Sequence, residues 1–272
     1  MTERDVIHTT SFPATISTLS EDLRRIGVQP GMAVLVHSSL SSIGWVSGGA
    51  VAVVLALEEV VRPFGTLVMP THTGDLSDPS GWSNPPVPEA WWEEIRRSMP
   101  PFDPDLTPTR GMGRIPECFR NQKEVLRSLH PQLSFAAWGE HAVEILSDHS
   151  LDHGLGEASP LARLYRLDGW ILLVGVDHSR NTSLHLAECR ASYPGKREIP
   201  CSSPIMIEGH RRWKGYAELN YDSADFQTIG AAFEEHNKQQ LSIGRIGRAE
   251  CRLFRQRACV DFAVSWIERH RR

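Results

Sequence analysis

Apolar residues along the chain form two kinds of pattern, short continuous runs and longer stretches with helical spacing. In residues 13–26 the apolar positions recur every three or four residues, which places them on one helix face, and Gly27 is suited to end that helix. The next segments predict a strand at 32–37, a helix at 48–63 that Pro63 stops, and a strand at 66–70. Two strands joined through a helix indicate a βαβ unit, with parallel strands and a right-handed crossover.

The same alternation of runs and helical stretches continues in the second half of the chain. We predict, in order, a strand at 133–139, helices at 140–149 and 159–169, a buried strand at 170–176, a helix at 182–193 with Thr182 as its cap, a hairpin at 204–216, and helices at 224–239 and 259–272. The class is therefore mixed α/β.

Residues 74–110 differ from the rest because prolines are concentrated there, together with three tryptophans. Such a composition excludes a long helix or a central strand, while the tryptophans argue against disorder. We expect a long ordered loop, the Trp/Pro-rich insertion, with a short helix near residues 89–98. Ordered loops of this length in compact domains usually have a function.

Composition and charge disfavour several classes of protein. The chain has 272 residues and a net charge of −4, which disfavours nucleic-acid binding. No run of apolar residues is long enough for a transmembrane helix, and the N-terminus has no secretory signal pattern. The five cysteines, an odd number without metal-like spacing, favour a reducing cytoplasm. We expect a cytoplasmic, single-domain protein over residues 1–272, without membrane or nucleic-acid partners.

The net charge conceals an uneven distribution along the chain. Residues 74–105 carry −5, residues 216–236 carry another −5, and residues 237–272 carry +6. Such runs are often no more than solvated faces.

A serine-rich segment between the first predicted strand and its helix offers a site for an anion. HSSLSSIGWVSGGA (37–50) supplies hydroxyls, uncovered backbone N–H groups and a helix N-terminus, which together suit a phosphate. The alternative is an ordinary polar turn, since neither the dinucleotide fingerprint nor the P-loop pattern is present. Further on, Arg110 lies beside two glycines in TPTRGMGRIPE (107–117), where it could also contact an anion.

Two segments at predicted strand ends carry histidines. In VGVDHSRNTSLHLAE (174–188), His185 and Glu188 lie three apart on one helix face, so the imidazole could act as a general base that the carboxylate orients. A structural histidine is the alternative. In MPTHTGD (69–75), His72 and Asp75 could join a site, and with His185 they leave open a metal-dependent hydrolase, although no metal-binding spacing supports a metal.

Taken together, these segments resemble the aminoglycoside 3-N-acetyltransferase family, and especially its shorter bacillus-type branch. The resemblance covers roughly residues 10–240 and rests on six segments in the family's order: HSSLSSIGWVSGGA, MPTHTGDLSDP, TPTRGMGRIPE, HPQLSFAAWGEHA, LGEASPLARLY and GVDHSRNTSLHLAE. Asp177 departs from the pattern, because a small residue is expected there.

The resemblance implies a central mixed, largely parallel β-sheet flanked by helices, unlike the GCN5-related fold. It implies acetyl-CoA as co-substrate, no metal, and direct acetyl transfer to an amine, most simply the 3-amino group of an aminoglycoside. The donor would contact His37, the serine loop formed by Ser38, Ser39, Leu40, Ser41, Ser42, Ile43 and Gly44, and Arg110, Met112, Gly113 and Ser159.

His185 matches the catalytic base of the family, with Glu188 beside it; Glu218 or Asp222 could polarise His185 instead. The oxyanion would be held by the serine loop or by residues 71–73. The expected acceptor contacts are His72, Asp75, Trp82, Glu218, Asp222 and Asp225. A transferase acting on another amine and a non-catalytic CoA-binding module remain open, as does the choice between monomer and homodimer.

Overall fold

The computed structural model describes residues 2–272. Its helices are α1 (Glu3–Thr9), α2 (Ile16–Arg25), α3 (Leu40–Ile43), α4 (Gly49–Val61), α5 (Trp92–Ser98), α6 (Arg114–Arg120), α7 (Ala142–Leu146), α8 (Pro160–Arg166), α9 (Ser183–Arg190), α10 (Phe226–His236) and α11 (Gln256–His270). Its strands are β1 (Ala33–Ser38), β2 (Thr66–Pro70), β3 (Leu126–Arg127), β4 (Phe135–Gly139), β5 (Trp170–Val174), β6 (Glu198–Ile207), β7 (His210–Leu219), β8 (Leu241–Ile246) and β9 (Ala249–Arg255).

Seven strands form the central sheet in the order β3-β4-β2-β1-β5-β9-β8. Strand β1 pairs in parallel with β2 on one side and with β5 on the other, whereas the outer pairings are antiparallel. Five of the seven strands therefore run in one direction, and only β4 and β9 run against them. The predicted mixed sheet is confirmed, with its parallel part at the centre, where the carboxyl ends of β1, β2 and β5 meet.

The central strands are buried on both faces. Val34 and Val36 of β1 belong to a core shared with α2, α4 and α6, while Leu35 belongs to a second core shared with α8, α9, α10 and α11. Because successive side chains of a strand point to opposite faces, helices must cover both sides of the sheet. The result is a three-layer arrangement with the sheet in the middle.

The Trp/Pro-rich insertion packs against a second, two-stranded sheet made by β6 and β7. The amide of Phe102 donates to the carbonyl of Pro204 at 3.0 Å, and Nε of Arg211 donates to the carbonyl of Met99 at 2.7 Å. These contacts order the loop, and its predicted short helix is present as α5, which directly follows a 3₁₀ turn at Glu89–Trp91.

Several element predictions need correction. The helix predicted at 140–149 ends at Leu146, because Ser147 is extended and Asp148 has φ +44°. The helix predicted at 182–193 ends at Arg190. Thr182 stands at the start of α9 but makes no side-chain cap, since its own backbone is helical; the side-chain oxygen of Asn181 accepts the amide of Ser183 instead, at 3.2 Å.

The sequence analysis did not predict α1, α3, β3, β8 or β9. Strands β8 and β9 form a hairpin at the sheet edge within the basic segment 237–272. Among the described residues, no helix is long and apolar enough to cross a membrane.

Candidate active site

A cavity of about 630 Å³ opens at the carboxyl ends of β1 and β5. The serine loop forms one wall, and residues 111–114 and the turn after β5 form others. The rest of the lining comes from Glu3 and Val6 of α1, residues 45–49 and Pro70. Of the predicted donor contacts, those that line the cavity are His37, Ser38, Ser39, Leu40, Ser41, Gly44, Met112 and Gly113. The structure therefore brings two of the sequence segments that pointed to anion binding together around one space.

The serine loop is tied to the end of β5. The amide of Ser39 donates to the carbonyl of Val174 at 2.9 Å, and the hydroxyl of Ser42 donates to the carbonyl of Gly175 at 3.1 Å. Gly175 has φ +63°, and a Cβ at this position would lie 2.3 Å from Cβ of Ser42. Only glycine therefore allows the loop to approach the strand so closely.

Two buried polar atoms of the cavity have no hydrogen-bond partner within the described part of the chain, Nε2 of His37 and Oγ of Ser38. Burial, together with repulsion from His178, lowers the pKa of His37 to about 3, so its imidazole is neutral. Buried polar atoms normally find partners. These two, beside the exposed guanidinium groups of Arg114 and Arg180, fit a polar, anionic ligand such as CoA.

The remaining predicted donor residues lie elsewhere. Ser42 faces a neighbouring depression that also contains Arg180 and Arg248, and Ile43 is 1% exposed within the core. Arg110 forms an ion pair with Asp75, and neither residue lines the cavity. Ser159 is fully buried at the start of α8, where its hydroxyl donates to the carbonyl of Gly156 at 2.6 Å, so its position indicates a structural role.

His185 and Glu188 form a close pair on α9. Nδ1 of His185 lies 2.5 Å from Oε2 of Glu188, and the imidazole is packed between the rings of Tyr221 and Phe226. A carboxylate accepts hydrogen bonds, so Nδ1 is the donor, and the neutral tautomer that fits this contact has its lone pair on Nε2. The helical spacing predicted this pairing, and Glu188 rather than Glu218 or Asp222 contacts the imidazole.

Glu188 is fully buried, and its second oxygen also has partners. Oε1 accepts the amide of Asp222 at 3.0 Å and a guanidinium N–H of Arg271 at 2.5 Å. Arg271 also holds Asp225 with two hydrogen bonds, of 2.8 and 2.6 Å. Sequence reasoning missed Arg271, since no local signal links residues 83 positions apart.

Two of the predicted acceptor contacts are buried groups with unused hydrogen-bonding capacity. Nε2 of His72 and Oε2 of Glu218 are buried and have no partner in the described chain. Burial and the nearby imidazoles of His185 and His130 lower the pKa of His72 to about 3. The other oxygen of Glu218 accepts the amide of Gly154 at 2.6 Å and lies 3.5 Å from Nε2 of His130.

The other predicted acceptor contacts are engaged within the protein. Asp75 pairs with Arg110, both oxygens of Asp225 are held by Arg271, and the indole N–H of Trp82 donates to Ser77 at 2.8 Å. Asp222 is exposed, and its carboxylate caps the amide of Ala224 at 2.9 Å.

Asp177, the departure from the expected pattern, is accommodated without strain. Its φ is −101°, so the position does not need a glycine, and its carboxylate accepts the amide of Ser179 at 3.0 Å. The hydroxyl of Ser179 also donates to this carboxylate, and that hydrogen bond, together with the one from the amide, holds the pKa of Asp177 below its usual value. The substitution stabilises the turn before α9 and leaves the His185–Glu188 pair intact.

Comparison with known proteins fits this fold and this site. A family model described as aminoglycoside 3-N-acetyltransferase matches residues 35–268. The chain therefore belongs to the aminoglycoside 3-N-acetyltransferase family, and the predictions of this family, of an enzyme and of its fold are confirmed.

A relative from Bacillus subtilis (strain 168), the SPbeta prophage-derived aminoglycoside N(3')-acetyltransferase-like protein YokD, is 51% identical over 97% of this chain and 96% of its own length. The solved structure of AAC-IIIb in a binary complex with CoASH is 32% identical, with a TM-score of 0.84 over 95% of this chain and 97% of that one. The structure of AAC-VIa bound to sisomicin is 30% identical, with a TM-score of 0.86 over 96% and 99%.

Proposed function

We propose that the protein transfers the acetyl group of acetyl-CoA directly to the 3-amino group of an aminoglycoside, with His185 as general base. One observation carries the proposal. His185, already oriented by a buried carboxylate, lies one helical turn beyond Thr182, which lines the cavity formed by the serine loop. The solved relatives that contain CoASH and sisomicin support these two substrate classes.

The donor would lie in the cavity with its anionic part near the serine loop. Gly49, the first residue of the thirteen-residue helix α4, lines the cavity, so this helix N-terminus contributes partial positive charge and free N–H groups. Arg114 and Arg180 add full positive charges at the cavity wall. These groups suit the pyrophosphate of CoA, while Nε2 of His37 is available for its polar chain.

The acceptor amine must lose a proton before it can form an amide. Its nitrogen attacks the thioester carbonyl carbon, and the proton moves to Nε2 of His185, directly or through a water. The new C–N bond forms as the C–S bond breaks, and the CoA sulfur leaves with the electron pair and is then protonated. Glu188 stabilises the imidazolium through Nδ1. Because the amine attacks the thioester itself, no covalent enzyme intermediate is needed.

The developing oxyanion needs a hydrogen-bond donor. Residues 71–73 are poorly suited, because the amides of Thr71 and Thr73 already donate to Ser134 and Gln132 at 2.9 and 3.0 Å. The buried hydroxyl of Ser38 has no partner in the described chain and is therefore our candidate donor. We assign the acceptor's cationic groups to Glu218, helped by exposed Asp222 and by the neutral imidazole of His72.

The decisive experiment uses the wild-type protein, acetyl-CoA and a panel of aminoglycosides, with free thiol as the readout. We expect thiol release with acceptors that carry a free 3-amino group and none with a matched acceptor already acetylated there. NMR of the product should place the new acetyl group on that nitrogen. CoA binding without thiol release for any amine would instead indicate a non-catalytic CoA-binding module, and acetylation of another nitrogen would refute the regiochemistry.

A further inference from the structure

Arg271 reaches from just beyond α11 to the side of Glu188 opposite His185. Its side chain is 12% exposed, and its guanidinium lies 5.2 Å from the ring centre of Tyr193. The guanidinium hydrogen-bonds to Oε1 of Glu188, both carboxylate oxygens of Asp225 and the carbonyl of Asp222. One planar group therefore joins the C-terminal end of α11, helix α9 and the loop before α10.

The buried carboxylate of Glu188 depends on this cation. Its side chain has no exposed surface, and a buried carboxylate needs both a counter-charge and filled hydrogen-bonding positions to remain ionised. Oε2 is directed to Nδ1 of His185, so charge and orientation must both come through Oε1. There Arg271 is the cation, and the amide of Asp222 is the second donor.

We propose that Arg271 is a positioning residue of the acetyl transfer. Through Oε1 it fixes the rotamer and charge of Glu188, which in turn holds the proton on Nδ1 of His185 and leaves Nε2 free to accept the proton of the amine. The inference rests on the proposed function and extends it, because Arg271 lies beyond residues 35–268, the part of the chain that the family model matches.

The charged and titratable groups around Glu188 come from three parts of the chain. Helix α9 contributes His185 and Cys189, and Tyr193 follows this helix. The segment before α10 contributes Tyr221, Asp222 and Asp225, and the end of α11 contributes Arg271. Burial and then the charge of Glu188 raise the pKa of Tyr193, and burial together with the nearby Glu218 and Glu188 raises the pKa of Cys189 to about 11. Around neutral pH both are therefore uncharged, and Arg271 is the cation in contact with Glu188.

The test compares Arg271→Ala, Arg271→Lys and the control Arg272→Ala. Arg272 is exposed, and replacing it with alanine removes the same charge from the adjacent position. For Arg271→Ala we expect kcat to fall by about 10- to 100-fold, by analogy with the outer-shell partners that orient metal-binding side chains. The dissociation constant for CoA should stay within about twofold, since Arg271 does not line the cavity.

Added guanidinium should restore part of the lost rate in Arg271→Ala. Arg271→Lys should keep an intermediate rate, because an ammonium restores the charge at Glu188 but not the two-pronged contact with Asp225. It also serves as the folded variant if Arg271→Ala proves unstable. A folded Arg271→Ala with wild-type kcat, or one that guanidinium does not improve, would overturn the proposal.

A second readout does not depend on turnover. The imidazole ¹⁵N signals of His185, assigned with His185→Gln, report which ring nitrogen carries the proton. We expect the wild type to hold the proton on Nδ1 and Arg271→Ala to populate the other tautomer. Unchanged signals would refute the positioning role. Changed signals in a protein that releases no thiol with any aminoglycoside would reject the proposed function while leaving the contribution of Arg271 intact.

Discussion

Thr182 and His185 lie one turn apart at the start of α9, where the amide of His185 donates to the carbonyl of Thr182 at 3.1 Å. Thr182 lines the cavity that the serine loop encloses, whereas His185 faces Glu188 and the aromatic rings of Tyr221 and Phe226. A single helical turn thus connects the space suited to the donor with the side chain suited to deprotonate the acceptor. The helix is anchored by the buried core on its other face, so this spacing is fixed.

This arrangement predicts that His185→Ala separates binding from chemistry. The variant should fold and bind CoA with a dissociation constant within about twofold of wild type, because His185 does not line the cavity. Its kcat should fall by about 10²- to 10⁴-fold, the usual contribution of a general base. Calorimetric titration with CoA and the thiol-release assay measure the two quantities. Near-normal turnover in a folded variant would remove His185 from the mechanism.

Local patterns were sufficient to predict the centre of the fold. Strands β1, β2 and β5 are continuous apolar runs because helices cover both faces of the sheet. The predicted βαβ connection accounts for the parallel pairing of β1 with β2. The serine loop and the His185–Glu188 pair follow from the same logic, since each depends on residues that are close in sequence. Their binding and catalytic roles stay predictions.

The remainder depends on contacts between distant segments. Strands β8 and β9 were missed because charged residues interrupt their apolar alternation, although Gly247, with φ +56°, marks a tight turn between them. The contacts of Arg271 with Glu188 and Asp225 depend on how α11 docks on α9, which no local pattern encodes. The acidic charge of residues 216–236 suggested that Asp225 contacts the acceptor. In the structure, Arg271 already holds both of its carboxylate oxygens.

The close approach of Gly175 to the serine loop predicts a specific effect of Gly175→Ala. The added methyl group would meet Cβ of Ser42 at 2.3 Å and displace the loop, so we expect a KM for acetyl-CoA raised by about tenfold or more. Gly209→Ala is a matched control, because Gly209 also has a positive φ, of +75°, but has open space around it. Both variants should lose some thermal stability, whereas only Gly175→Ala should weaken donor binding. Equal KM values in steady-state kinetics would contradict the role assigned to the loop.

The environment of His149 predicts a dependence of stability on pH. Nε2 of His149 donates to the carbonyl of Gly154 at 2.6 Å, and Nδ1 accepts from the hydroxyl of Ser128 at 2.9 Å, a pair of contacts that only the neutral ring can make. Burial, with repulsion from His130, lowers the pKa of His149 to about 3. Below about pH 6.5 the unfolded chain binds a proton at this histidine, whereas the folded protein does not. The free energy of unfolding therefore decreases as the pH is lowered, until the pKa of the folded state is reached.

Urea unfolding between pH 7 and pH 4.5 tests this prediction. One such histidine contributes a slope of up to about 1.4 kcal/mol per pH unit. His149→Gln should therefore be less stable than wild type at pH 7, because its hydrogen bonds fit less well, but its stability should decline less steeply as the pH is lowered. Parallel curves for the two proteins would show that His149 is not the group that titrates.

Glu218 provides the sharpest test of the acceptor site. Its Oε2 is buried and has no partner in the described chain, while Oε1 is held by the amide of Gly154. A hydrogen bond to a charged group contributes about 1.5–3 kcal/mol. Glu218→Gln should therefore raise the KM for the aminoglycoside by about tenfold or more and leave CoA binding unchanged. Glu198→Gln, a 65% exposed carboxylate on the paired strand β6, is the control and should leave both constants near wild type. If the acceptor KM of Glu218→Gln equals that of the control, Glu218 does not bind the cationic acceptor.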